Sequence, residues 1–190
     1  MLYPPIDLDR FQPGRAGEGY LFVSELTGYK RADLVVEVFR GLDRHLTVVG
    51  DGPDFDRLRR IAPPNVTLTG RLPDQALAAE YAKARALIFP AEEDFGLTPV
   101  EAMAAGRPVL ALGRGGALET VKNGETGFFF PDQTAASIRK VIDRFEGEEA
   151  RFDPTKIRAH AESFSKSAFR ARFTAAVDDL MAAPPQEAWR

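Results

Sequence analysis

Residues 86–112 read ALIFPAEEDFGLTPVEAMAAGRPVLAL, and this stretch decides the architecture. Ala86–Pro90 and Pro108–Leu112 are apolar on consecutive residues, as strands covered on both faces are, and a segment of helical spacing over about 98–105 lies between them. A strand, a helix and a second strand in that order form a βαβ unit, which closes as a parallel pair through a right-handed crossover.

The same alternation runs outward in both directions. Tyr20–Ser24 (YLFVS), Leu46–Gly50 (LTVVG) and Val66–Gly70 (VTLTG) precede the unit, and Thr126–Phe130 (TGFFF) follows it. Helical spacing occupies about 31–41, 53–62, 73–84, 117–122, 132–147, 154–163 and 165–182. The expectation is an α/β fold, a doubly wound, Rossmann-like parallel sheet of six strands with flanking helices. A length of 190 residues suits one such domain. Residues 1–19, rich in Pro and Gly, read as an interdomain linker, 20–182 as the domain and 183–190 as a flexible tail.

Composition removes several function classes. Lys+Arg 25 against Asp+Glu 28 leaves a net charge of -3, so there is no uniform positive field for nucleic acid. With no cysteine, disulfide scaffolds, zinc knuckles, Fe–S clusters and thiol nucleophiles all drop out. The two histidines, His45 and His160, have no partner at metal-ligand spacing, so no metal site is expected. The sequence shows neither a secretory signal nor an apolar run near the ~20 residues of a membrane span, and a cytoplasmic location fits.

In open sheets of this kind ligands sit at the carboxyl ends of the strands. Three of those loops carry glycines: Gly50-Asp51-Gly52-Pro53, Ala91 to Gly96, and Gly113-Arg114-Gly115-Gly116. A GxGxxG dinucleotide fingerprint fails in both glycine pairs, because its third position falls on Phe55 or on Leu118, and no GxxxxGK[ST] is present. Asp54 and Asp56 read as solvated acids in a first helical turn. The densest constellation spans Glu93 to Ala102. Thr98 as N-cap, Pro99 at the first helical position and Glu101 at the third predict a capping box. Glu93 has no capping duty and faces the crevice, while the helix start leaves the N–H groups of Gly96 and Leu97 for an anion or a sugar hydroxyl.

The E-x7-E spacing of Glu93 and Glu101 within FPAEEDFGLTPVEAMAAGRPVLA resembles the signature of the retaining GT-B-fold glycosyltransferases of family GT4. YPPIDLDRF resembles their interdomain linker, FVSELTGYKRADLVVEVF their phosphate-binding segment, VVGDGPDFDRL their second strand and turn, NVTLTGRLPDQALAAEYAKARALIFP their nucleobase region, and GGALETVKNGETGFFF their sugar-phosphate loop. The match covers roughly residues 3–145 in order and is most like the mannosyltransferases of O-antigen and exopolysaccharide assembly.

The resemblance implies the donor-binding C-terminal domain of a two-domain enzyme that moves a hexose, mannose from GDP-mannose, to a glycan or lipid-linked acceptor. The acceptor domain is not represented, so the isolated domain is expected to be inactive. The nucleotide sugar is a substrate, and neither cofactor nor metal is implied. Lys30 matches the lysine on the diphosphate and Glu93 the carboxylate at the hydroxyls of the transferred sugar, the catalytic pair. Glu101 matches the acceptor of the ribose hydroxyls, and Arg71 and Leu72 the segment whose backbone reads the base. Phe95, Gly96 and Leu97 line the sugar and phosphate site, and Gly115 and Gly116 open a backbone approach.

One departure stands out. Glu25 occupies a position where the family places an arginine, and it is expected to repel the phosphates and to pair with Lys30, with Arg31 or Arg114 compensating. A non-catalytic sugar-nucleotide-binding module, which Glu25 favours, therefore stays open. So does an epimerase or phosphorylase on the same scaffold, although the E-x7-E register speaks against the epimerase and a phosphorylase needs a pyridoxal-phosphate lysine in another context. Near the C-terminus, Lys166, Arg170 and Arg172 accompany Phe169 and Phe173. The expectation is a helix packing its aromatics on the sheet, with weak membrane-surface association as the alternative.

Overall fold

The computed structural model describes residues 2–182. Its sheet comprises β1 (Tyr20–Val23), β2 (Leu46–Val49), β3 (Val66–Gly70), β4 (Ala86–Phe89), β5 (Val109–Leu112) and β6 (Gly127–Phe130). Their spatial order is β3-β2-β1-β4-β5-β6 and every pair is parallel. Each strand falls inside its expected run, since consecutive apolar residues have nowhere to go but the middle layer. The strand order reverses between β1 and β4, which opens a crevice at their carboxyl ends.

The helices are α1 (Ala32–Phe39), α2 (Phe55–Ile61), α3 (Asp74–Lys83), α4 (Leu97–Ala104), α5 (Ala117–Thr120), α6 (Ala135–Glu148), α7 (Pro154–Ala161) and α8 (Lys166–Ala182). α1 packs on α2 and α6, while α4 packs on α3, α5 and α7, so the two groups cover opposite faces. Val35, Val36, Phe39, Ile138, Ile142 and Phe145 close one side, and Val100, Met103, Tyr81 and Ile157 the other, all fully buried. Each large side chain so buried contributes roughly 1.5–3 kcal/mol of apolar transfer, an upper figure because the unfolded chain is itself partly collapsed.

At the amino ends of the strands Arg85 bridges Glu146 at 2.8 Å and Glu149 at 2.6 Å, while Arg44 and the Tyr20 hydroxyl also reach Glu146. This cluster ties β1 and β4 to α6 and leaves the opposite edge to the glycine-rich loops.

The segment read as linker is anchored: Ile6, Leu8 and Phe11 are buried, and the Ile6 N–H donates to the Phe164 carbonyl at 2.9 Å. Conversely, α8 does not lay its aromatics on the sheet. It buries no residue, its Phe169 and Phe173 rings stack on each other at 5.8 Å, and Phe173 is 50% exposed. The tail expected over 183–190 lies outside the described residues. Among the described residues no helix is long and apolar enough to cross a membrane.

Candidate functional site

The carboxyl ends of β1, β2 and β3 enclose a cavity of about 670 Å³, lined by Ser24, Glu25, Gly50, Asp51, Gly52, Arg71, Leu72, Asp74, Leu77 and Thr98. Three candidates, Glu25, Arg71 and Leu72, therefore share one wall system. Arg71 and Leu72 follow β3 directly and Leu72 is half-buried, which leaves backbone and an apolar surface for a flat ligand.

Outside the lining of this cavity, the loops after β1 and β4 bring the expected catalytic pair together. Lys30 ends a 3-10 turn (Gly28–Lys30), and its Nζ meets Glu93 Oε1 at 2.5 Å. Both side chains are largely covered, at 13% and 22% exposed. Burial alone would lower the Lys30 ammonium, but hydrogen bonds to Glu93 and Tyr29 outweigh it and the net direction is upward. The ammonium also lies 4.6 Å from the Tyr29 ring centroid. The charge is secured, and its partner is Glu93. The expected Lys30–Glu25 pair does not form; Glu25 is exposed and has no ion-pair partner among the described residues.

The capping box is also corrected. α4 begins at Leu97, two residues early, and its N-cap is Gly96, whose φ of 81° few other residues adopt. No side chain caps this end, so the N–H groups at the start of α4 remain as donors, Leu97 being 49% exposed there. Glu101 is consequently free of capping. Its Oε2 accepts from the Tyr81 hydroxyl at 2.7 Å. Burial raises the Glu101 carboxyl above the ordinary carboxylate range, opposed by the Tyr81 hydrogen bond and by Arg10. Sequence reasoning missed Tyr81, which sits on the apolar face of an ordinary helix; only its polar tip hinted at a partner.

Gly115 and Gly116 serve the protein before any ligand. The Gly116 N–H donates to the Glu93 carbonyl at 2.7 Å. A Cβ there would lie 2.3 Å from the Phe95 Cα and 2.5 Å from the Asp94 carbonyl oxygen. The approach they open is onto the loop that carries Glu93. Phe95, expected at the ligand, instead packs its ring between Tyr3 at 5.4 Å and Phe164 at 5.8 Å. Of the two compensating arginines, Arg31 is committed to Asp33 at 3.1 Å and to Gln133 at 3.2 Å. Arg114 is exposed, with one long bond to the Pro131 carbonyl at 3.4 Å.

A sheet of this order thus carries a lysine–glutamate pair and a second, half-buried glutamate at its carboxyl edge. The family model described as glycosyl transferases group 1 matches residues 7–167. The chain belongs to that family. Alpha-1,3/1,6-mannosyltransferase ALG2 of Rhizomucor pusillus is 39% identical over 111 residues, 55% of this chain and 24% of the relative. A GDP-mannose-dependent alpha-(1-6)-phosphatidylinositol monomannoside mannosyltransferase of Mycobacterium tuberculosis is 32% identical over 173 residues, 75% of this chain and 44% of the relative. The chain thus spans less than half the length of these two relatives.

Among solved structures, sucrose-phosphate synthase from Thermosynechococcus elongatus superposes with a TM-score of 0.82 at 26% identity, covering 96% of this chain and 53% of that one. Anabaena HepE in complex with UDP and glucose gives 0.82 at 18% identity, covering 93% and 56%, and speaks to the fold alone. The expected doubly wound GT-B half is therefore the fold of this group 1 domain.

Proposed function

We propose that this chain is the donor-binding domain of a retaining glycosyltransferase that transfers a hexose, mannose from GDP-mannose, to a glycan or lipid-linked acceptor. The observation that carries the reading is the juxtaposition of Lys30 and Glu93, 2.5 Å apart, at the crevice where the strand order reverses. The two mannosyltransferase relatives support mannose, and the name of the second supports the guanine nucleotide.

Each residue has a task in this reading. Lys30 meets the diphosphate and offsets the negative charge that grows on it as the bond to the sugar anomeric carbon breaks, a service that a fixed ammonium performs without reorganising. Glu93 accepts hydrogen bonds from hydroxyls of the transferred sugar, and Glu101 from those of the ribose. The N–H groups at the start of α4 receive an anionic oxygen. Arg71 and Leu72 border the base, and Arg114 is the arginine left to reach the phosphates. The acceptor sits on a separate domain, and the reaction is placed in the cytoplasm without metal or cofactor.

Calorimetry tests this directly. GDP is expected to bind more tightly than free mannose, because the diphosphate and ribose meet Lys30 and Glu101 whereas mannose alone meets chiefly Glu93. Affinity for GDP should be the same with and without EDTA. Equal or stronger binding of mannose would overturn the reading, and loss of GDP affinity on chelation would overturn its metal-free part.

One observation favours a second reading, a module that binds sugar nucleotide without transferring the sugar. Glu25 lines the cavity with no cation against it. Its field opposes a diphosphate, and after solvent screening the penalty is about fivefold in affinity. Glu25→Arg is therefore expected to tighten GDP binding about fivefold or more, with the gain shrinking as salt rises. Unchanged affinity in a folded Glu25→Arg protein would show that Glu25 points away from the phosphates and would remove the case for the second reading.

A further inference from the structure

We propose that Tyr81 is a positioning residue for nucleotide binding: its hydroxyl fixes the Glu101 carboxylate so that Oε1 stays available to the ribose hydroxyls. This rests on the reading above in which Glu101 meets the ribose.

The phenol has one proton to give, and it gives it to Glu101 Oε2 at 2.7 Å. Tyr81 is fully buried on α3, with its ring set edge-on to Phe11 at 5.3 Å and 88°. The donor therefore cannot swing. A glutamate's terminal torsion is broad when nothing holds it, so a fixed donor on one oxygen sets where the other points. Among the described residues no protein donor meets Oε1; Glu101 does not itself line the cavity, whose wall is reached by Thr98, one turn earlier on α4.

Half-burying a carboxylate against one hydroxyl is a poor arrangement for stability alone, because most of its acceptor capacity goes unused. It suits a carboxylate that waits for two more donors. The charged groups facing Glu101 are Arg10 and Asp74, besides Tyr81. Arg10 is paired with Asp74 at 2.8 Å, which leaves orientation of the carboxylate to Tyr81. Burial lifts the Tyr81 phenol well above its ordinary value, with the Glu101 charge adding to this, so it stays a donor.

The test uses the 190-residue chain, with GDP and 2′,3′-dideoxy-GDP as probes. Tyr81→Phe keeps the ring and is expected to weaken GDP about tenfold, the weight of one hydrogen bond to a charged group, while the dideoxy nucleotide binds as before. With the hydroxyl gone the Glu101 carboxyl rises further, so GDP affinity in Tyr81→Phe should begin to fall at a higher pH on acidification than in the parent protein. Glu101→Gln should weaken GDP as well, and the double variant should bind like Glu101→Gln, because both changes act on one contact.

Outcomes separate the two ideas. If Glu101→Gln binds GDP as the parent does, the ribose role of Glu101 is wrong and this proposal falls with it. If Glu101→Gln weakens GDP but Tyr81→Phe does not, the proposal alone is overturned. Equal weakening of both nucleotides by Tyr81→Phe, additive losses in the double variant, or failure of Tyr81→Phe to fold would each assign the hydroxyl to general architecture and overturn it too.

Discussion

Replacing Lys30 with alanine is expected to lower affinity for GDP by about tenfold to a hundredfold and to leave guanosine almost unaffected. The range follows from one or more charge-assisted hydrogen bonds to phosphate, each about 1.5–3 kcal/mol. The substitution does more than remove a cation. Glu93, 22% exposed and now held by Lys30, would be left as an uncompensated carboxylate beside the incoming diphosphate. Two unfavourable changes thus act in one direction. Titration of GDP, GMP and guanosine into Lys30→Ala should show the loss growing with the number of phosphate charges and shrinking at high salt. A loss equal for all three would mean that Lys30 holds the loop and not the phosphates.

A large loss of stability is expected from Gly116→Ala. The added methyl would sit 2.3 Å from the Phe95 Cα and 2.5 Å from the Asp94 oxygen, both backbone atoms that cannot rotate aside. One loop must move, breaking the 2.7 Å bond from the Gly116 N–H to the Glu93 carbonyl. Overpacking of this kind with loss of a hydrogen bond costs about 3 kcal/mol, which lowers Tm by roughly 6–12 °C in a domain of this size. GDP affinity should drop as well, because Glu93 rides on the displaced loop. Gly147→Ala is the control: nothing lies within 4 Å of its added carbon, and α6 should gain about 0.5–1 kcal/mol. A Gly116→Ala protein with unchanged Tm would show that the loops separate without strain.

The strands were legible because each carries its own signal. Leu46–Val49 and Ala86–Phe89 are apolar throughout, and a strand covered on both faces needs nothing else to be recognised. The glycine-rich edge was legible for the same local reason. What the sequence hid depends on contacts between distant residues. Lys30 and Glu93 are separated by 63 positions, and either lysine partner, Glu25 or Glu93, satisfies the same electrostatic rule; the topology alone chooses. The capping box failed because Gly96, with its positive φ, turns the chain into α4 before Thr98 is reached, and because Tyr81 claims Glu101 from another helix. Phe95 looked like a ligand wall since it sits in the loop with Glu93, yet its ring turns to Tyr3 and Phe164, neighbours that no local pattern announces.

That aromatic trio bears on where the domain can be cut. Tyr3 precedes every strand and Phe164 follows every strand, yet both rest on the ring of the residue two places after Glu93. A minimal fragment started at β1 would keep the entire sheet while stripping Tyr3, Ile6, Leu8 and Phe11 from beneath the loop and from α3. The boundary that a strand diagram suggests is thus too short, and expression designs that preserve the first ten or so residues keep the supports of both glutamates.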